Sequence, residues 1–170
     1  MTPGGPKVPH FVTWFLKMID KTLIEKLVNE YIAGTDIFIV DVKISSAGKI
    51  NIFADKHEGI TVDECAGINR MINNNLDRNV EDYELTVSSP GIDMPFLVIQ
   101  QYYKNEGKRI EVTDIQGNKY HGILKNVNKG GFELLKDSKS KQKGKDKQVD
   151  ITEISFNFDQ VKSARETLIF

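Results

Sequence analysis

Three groups of residues have the types and spacing that chemistry needs. His57, Glu58, Asp63 and Glu64 fall within eight positions and offer the imidazole and carboxylates of a metal site. Acidic residues also belong in the first turn of a helix, where they oppose the dipole, and Thr61-Val62-Asp63-Glu64 is a capping box that already uses Glu64. The three histidines, His10, His57 and His121, show neither H-E-x-x-H nor H-x-x-E-H spacing. No metal is assigned. Ser88 and Ser89, followed by Pro90, Gly91, Ile92 and Asp93, supply hydroxyls and a carboxylate, but no histidine lies close by and no G-x-S-x-G elbow raises a nucleophile. That segment reads as an interdomain hinge (Ser88, Ser89, Pro90, Gly91, Asp93), with Asp93 or Ser88 tying down backbone N–H groups. Neither G-x-G-x-x-G nor a Walker loop occurs, so no catalytic residue, small-molecule substrate or cofactor is expected.

The third group is cationic. Lys136, Lys139, Lys141, Lys143, Lys145 and Lys147 alternate with polar residues and glycine, and no apolar residue interrupts Lys136–Gln148. Such a stretch has nothing to bury and reads as a solvated loop. Its ammonium groups can replace counterions along a phosphate backbone, or simply keep the protein in solution. Lys108, Arg109, Lys119, Lys125 and Lys129 are supporting cations nearby. Aromatics interleave with them at Tyr102-Tyr103-Lys104 and Lys119-Tyr120-His121. These can stack on bases, although about half are expected in the core.

These residues sit in a chain of 170 residues with 39% hydrophobic and 28% charged residues and a formal net charge of −1. That is a globular composition with length for one or two domains. The single cysteine, Cys65, excludes a disulfide framework and is compatible with a reducing cytoplasm. No apolar run approaches the roughly 18 residues of a membrane span. The near-neutral charge hides a division: residues 1–93 hold nine Lys/Arg against fourteen Asp/Glu, and residues 94–170 hold fourteen against ten. Two domains with unlike partners follow, nucleic acid being the natural one for the basic half.

The elements agree with that division. Residues 1–17 read as an extension outside the fold; their apolar patch lacks the small-residue cleavage site of a secretory signal. From Asp20 as N-cap, Leu23, Ile24, Leu27, Val28, Tyr31 and Ile32 predict one buried stripe of a helix ended by Gly34. Ile37–Ile44 and Ile50–Ala54 alternate as two strands of a hairpin around Ser45-Ser46-Ala47-Gly48. A second helix is predicted from Val62 to Asp77, in which Asn73-Asn74-Asn75 is unusual, and Tyr83–Val87 forms a third strand. Residues 18–93 are therefore an αββαβ layer domain. After a boundary near Asp93 comes a short helix within Phe96–Tyr103. Short alternating runs then follow at Arg109–Asp114, Lys119–Val127, Gly131–Lys136, Val149–Ile151 and Ile154–Phe158. That spacing predicts a small β-barrel over residues 94–170, with a lysine-rich loop at 136–147 and one or two helical turns within Gln160–Thr167. The fold class is α+β.

Gly59-Ile60-Thr61-Val62-Asp63-Glu64-Cys65-Ala66, the Ile68–Leu76 helix and Tyr83-Glu84-Leu85-Thr86-Val87-Ser88-Ser89-Pro90-Gly91-Ile92-Asp93 together resemble the ribosome maturation factor RimP family. There a helix opening G-[IV]-[TS]-[LV]-[DE]-[DE]-C precedes a strand ending E-V-S-S-P-G-[LI]-D-R-P. Gly107-Lys108-Arg109-Ile110-Glu111-Val112 and Tyr120-His121-Gly122-Ile123-Leu124 match the start of the family's second domain. Met94 stands where the family has arginine, and the lysine-rich stretch is longer than its counterpart. The resemblance implies an α+β N-terminal domain and an Sm-like or SH3-like barrel. It also implies a non-enzymatic, cytoplasmic assembly factor that binds the immature small (30S) ribosomal subunit through ribosomal RNA and a small-subunit ribosomal protein.

On this reading the chain acts as a monomer, away from membranes, with Lys108, Arg109, Lys119, Lys125, Lys129, Lys139, Lys141, Lys143, Lys145 and Lys147 as its partner- and RNA-binding cations. Two rivals stand beside it. A free-standing Sm-like RNA-binding regulator would bind isolated single-stranded RNA as tightly as ribosomal particles. A metal-dependent hydrolase would use His57, Asp63 and Asp93 and retain a divalent metal.

Overall fold

A computed structural model of the chain describes residues 19–79, 82–137 and 151–167; the extension 1–17 and the lysines from Lys139 to Lys147 lie outside them. The chain divides into two compact units, one holding residues up to Asp55 together with Gly59–Ser89, the other holding Lys56–Glu58 and everything from Pro90 onward.

In the first unit, α1 (Lys21–Ile32) begins where the Asp20 side chain accepts from the Thr22 backbone N–H at 3.2 Å. It buries only Ile24, Val28 and Ile32. Leu23 and Tyr31 remain 43% and 49% exposed, so the stripe is narrower than the sequence predicts. The chain then leaves the helix through Gly34 at φ +82°. β1 (Phe38–Ile44) and β2 (Lys49–Asp55) form the expected antiparallel hairpin. Its turn closes with Gly48 N–H donating to Ser45 O at 3.1 Å, Gly48 adopting φ +75°. A register shift between Ile39 and Asp41 bulges β1 at Val40.

α2 (Val62–Asn75) opens with the capping box read from the sequence: Glu64 N–H donates to Thr61 Oγ1 at 3.2 Å, and Thr61 N–H to Glu64 Oε2 at 2.7 Å. β3 (Glu84–Ser88) then pairs parallel to β2, completing a three-stranded sheet in the order β1-β2-β3. A parallel pair needs a crossover, and α2 provides it. The helices and the sheet share one aliphatic core of Ile24, Val28, Ile32, Val42, Ile50, Ile52, Ala54, Ile68 and Ile72, closed by Tyr83. Of the unusual asparagines, Asn73 is part of this frame. Asn73 Nδ2 donates to Asn69 Oδ1 at 2.7 Å, while Asn73 Oδ1 accepts from Tyr83 OH at 2.9 Å and Arg78 Nη2 at 3.1 Å. Asn69 Nδ2 reaches the Leu85 carbonyl at 3.4 Å. The poor intrinsic helicity of asparagine is thus offset by bonds that fasten α2 to the strand after it.

The second unit begins with α3 (Ile99–Lys104). It starts later than Phe96 because Gln101 Oε1 holds the extended Leu97 and Val98 by their N–H groups, at 2.6 and 3.2 Å. Five strands follow: β4 (Arg109–Asp114), β5 (Lys119–Lys125), β6 (Gly131–Asp137), β7 (Ile151–Asn157) and β8 (Val161–Glu166). All pairings are antiparallel, and the order is β7-β6-β5-β4-β8. Of the segment Gln160–Thr167 expected to be helical, Val161–Glu166 is therefore a strand. One 3-10 turn, Phe158–Gln160, leads into β8, which pairs along β4 from Ile110 to Asp114. Ala164, 1% exposed, is the small residue that packs inward there. The runs expected at Val149–Ile151 and Ile154–Phe158 become one strand from Ile151, with Val149 outside the described residues.

This core is aromatic. Tyr102 lies 5.1 Å from Phe96, 5.2 Å from Phe132 and 5.0 Å from Phe158 between ring centroids, and Tyr120 lies 5.2 Å from Phe156. Burial pushes the Tyr102 phenol up to about 12. Two strand glycines are forced by close backbone approach. A Cβ on Gly122 would collide with the Leu135 carbonyl, and one on Gly131 with the Phe156 carbonyl. Among the described residues, no helix is long and apolar enough to cross a membrane.

Candidate nucleic-acid interface

Strand alternation decides which cations face outward. In β4 the buried positions are Ile110, Val112 and Asp114, leaving Arg109, Glu111 and Thr113 on the opposite face. Register then builds a row across three strands, with Glu111 opposite His121 on β5 and opposite Arg165 on β8. The next row holds Lys119, Thr113 and Ser163. Arg165 Nη2 donates to Glu111 Oε1 at 2.8 Å, Lys119 Nζ lies 3.6 Å from the same oxygen, and His121 Nε2 lies 3.6 Å from Oε2. The Glu111 side chain is 15% exposed, whereas those of Lys119, His121 and Arg165 are 59%, 51% and 46% exposed. Burial works to raise the Glu111 carboxyl, but Arg165, then Lys119 and His121, outweigh it and hold it below its ordinary value.

The other half of this face has the opposite sign. Glu133 on β6 lies opposite Lys125 on one side and Ser155 on the other, and Glu153 lies opposite Leu135. A hydrogen bond to Glu133, and repulsion from it, raise the Glu153 carboxyl. Glu133 Oε2 also accepts from Asn126 Nδ2. The face is thus cationic on β8, β4 and β5 and anionic on β6 and β7.

Of the predicted cations, Arg109 and Lys119 share the cationic corner. Lys125 lies further along β5 on the same face. Lys108 occupies the turn before β4, where its carbonyl accepts from Leu124 N–H at 3.0 Å. Lys129 lies in the β5–β6 turn and is exposed, as is Lys136 on β6. Lys139, Lys141, Lys143, Lys145 and Lys147 fall outside the described residues. Glu111, His121 and Arg165 belong with the group although composition did not mark them. Alternation in β4 and β5 was the available signal for the first two. Arg165 was hidden by the helical reading of its segment. Of the interleaved aromatics, Tyr102 and Tyr120 are committed to the core, while Tyr103 is 40% exposed.

In the segment expected as a hinge, Ser88 closes β3 and the turn is held by Met94 N–H donating to Gly91 O at 2.9 Å, with no described hydrogen bond to Asp93 or the Ser88 side chain. Phe96 N–H then donates to Ala164 O at 2.7 Å, anchoring the segment to β8. Asp114 receives Asn118 N–H at 2.8 Å, Asn118 Nδ2 at 2.9 Å and Tyr120 OH at 3.1 Å. Against the effect of burial these bonds hold its carboxyl below the ordinary value and shape the β4–β5 turn. At Cys65, burial first and the charges of Glu64 and Asp55 next push the thiol up, the opposite of an activated nucleophile. Among the described residues, no three His, Cys, Asp or Glu side chains gather in a metal-binding group.

Comparison with known proteins carries the reading further. Residues 27–93 match the sequence model of the RimP N-terminal domain. A ribosome maturation factor RimP from Porphyromonas gingivalis is 34% identical over 107 residues, covering 63% of this chain and 70% of the relative. Its namesake from Christiangramia forsetii is 30% identical over 152 residues, covering 88% and 99%. That from Cytophaga hutchinsonii is 30% identical over 161 residues, covering 88% and 95%. Similarity of this extent spans both compact units, and the chain belongs to the ribosome maturation factor RimP family.

Proposed function

We propose that this protein is a non-enzymatic factor that binds the immature small (30S) ribosomal subunit in the cytoplasm and promotes its maturation. Its partners are ribosomal RNA and a small-subunit ribosomal protein. The second unit, read as a small Sm-like barrel, supplies the binding surface, assisted by Lys108, Arg109, Lys119, Lys125, Lys129 and the lysine-rich loop. A factor that holds one conformation tenfold more tightly than another biases the equilibrium by about 1.4 kcal/mol, without any reactive group. The observation that carries the reading is the gathering of exposed cations on the second unit of a chain whose relatives are named ribosome maturation factors.

Sedimentation of cell extract through a sucrose gradient tests it. The tagged full chain is expected with small-subunit precursors and not with mature ribosomes. Recovery only in the light fractions, alongside tight binding to isolated single-stranded RNA, would replace it with the RNA-binding regulator.

A further inference from the structure

The geometry points to a specific RNA-backbone docking surface: the outer face of β8, β4 and β5, where Arg165, Lys119 and His121 surround Glu111 and the hydroxyls of Thr113 and Ser163 occupy the next row. This deepens the assembly-factor reading and rests on it for the identity of the particle, but not for the chemistry of the surface. Neighbouring strands lie about 4.8 Å apart, so the row from His121 to Arg165 spans about 10 Å. A nucleic-acid strand carries a charge every few ångströms over such a distance. The three basic side chains are about half exposed and their common carboxylate is recessed, so the donors line the solvent side and the anion lies beneath them.

Arg165 commits Nη2 to Glu111, and a guanidinium has five N–H donors, so the bond fixes the plane while other donors stay available to phosphate. Glu111 acts here as a positioning residue. The corner suits phosphate better than a protein surface. Its rows hold charged and hydroxyl side chains; on the same strand face Ile123 is half-buried, and the exposed Ile115 lies in the β4–β5 turn, outside both rows, whereas protein hot spots need a desolvated aromatic or aliphatic anchor. The carboxylates of Glu133 and Glu153 on the far half of the face set the edge at which RNA must turn away.

The test uses the full chain, a short RNA duplex and, in parallel, purified immature small subunits, with affinity measured over a series of potassium chloride concentrations. The double variant Arg165→Gln with Lys119→Gln is expected to reduce the slope of log K against log salt by about 2, one for each phosphate no longer neutralised. Glu111→Gln is expected to tighten duplex binding several-fold at an unchanged slope, a gain that misfolding cannot produce. Wild-type affinity and slope in both variants would overturn the proposal, as would failure of the wild-type chain to bind the duplex at low salt. Weakened subunit binding with duplex binding intact would make the face a protein-binding surface and overturn it too. Failure of the wild-type chain to bind subunits while the duplex responses hold would instead remove the assembly-factor reading and leave the RNA surface standing.

Discussion

The two units treat their charges differently. In the first, described ion pairs join Lys21 with Glu25 and Asp41, Lys43 with Asp41, Lys26 with Glu30, and Lys49 with Glu84. In the second, three basic side chains converge on one carboxylate, Glu111. Lys108, Lys125 and Lys129 form no ion pair with another described residue. Exposed pairs contribute at most about 1 kcal/mol each, so the contrast says little about stability. On the proposed reading, it marks the second unit as the one that attracts an outside anion. The cores differ in parallel. Helices cover an aliphatic sheet in one unit, and an aromatic cluster fills the other, leaving the opposite sheet face to the charged rows.

The largest expected effect separates the cores. Ile68, fully buried on α2, changed to Ala should cost about 2–5 kcal/mol. Hydrogen exchange should then show weaker protection across α1, α2 and β1–β3, with β4–β6 retaining theirs. Equal weakening in both units would erase the energetic distinction between them. Gly122→Ala should do the converse, at about 1–3 kcal/mol, because the new methyl meets the Leu135 carbonyl rather than a flexible side chain. A denaturant titration followed by hydrogen exchange in β5 and β6 checks it.

Asn73→Ala should cost about 1–2 kcal/mol by leaving the hydroxyl of the buried Tyr83 and the side-chain oxygen of Asn69 without their partner. Urea unfolding of the variant reads this, and a cost near zero would mean that the asparagine network is incidental. The smallest effect is in acid. The Glu111 and Asp114 carboxyls are held below their ordinary values when folded. Each therefore contributes stability that is present above its unfolded pKa and lost as pH falls through the folded one. Arg165→Gln should flatten the acid limb of the thermal midpoint against pH, since Arg165 is the main charge lowering Glu111. An unaltered limb would show that the bond contributes nothing there.

What could be read from the sequence was local. The capping box at Thr61, the Ser45–Gly48 turn and the alternation of β4 and β5 depend on neighbours a few positions apart, and all appear. What failed depends on distant partners. Gln160–Thr167 carries one small buried residue and no strong period, and only its pairing with β4 makes it a strand. Arg165 was for that reason invisible beside Glu111, 54 positions away. Leu23 and Tyr31 fit a helical stripe, yet α1 buries only the single line Ile24, Val28 and Ile32 against its sheet. The asparagines of α2 looked like poor helix formers because their partners, Tyr83 and Leu85, come after the helix has ended.

The most direct measurement is a titration of the labelled, purified chain with immature and with mature small subunits, each at low and at near-physiological salt. The account predicts at least tenfold preference for the immature particle, with affinity falling steeply as salt rises. Equal affinity for both particles, or binding indifferent to salt, would contradict it.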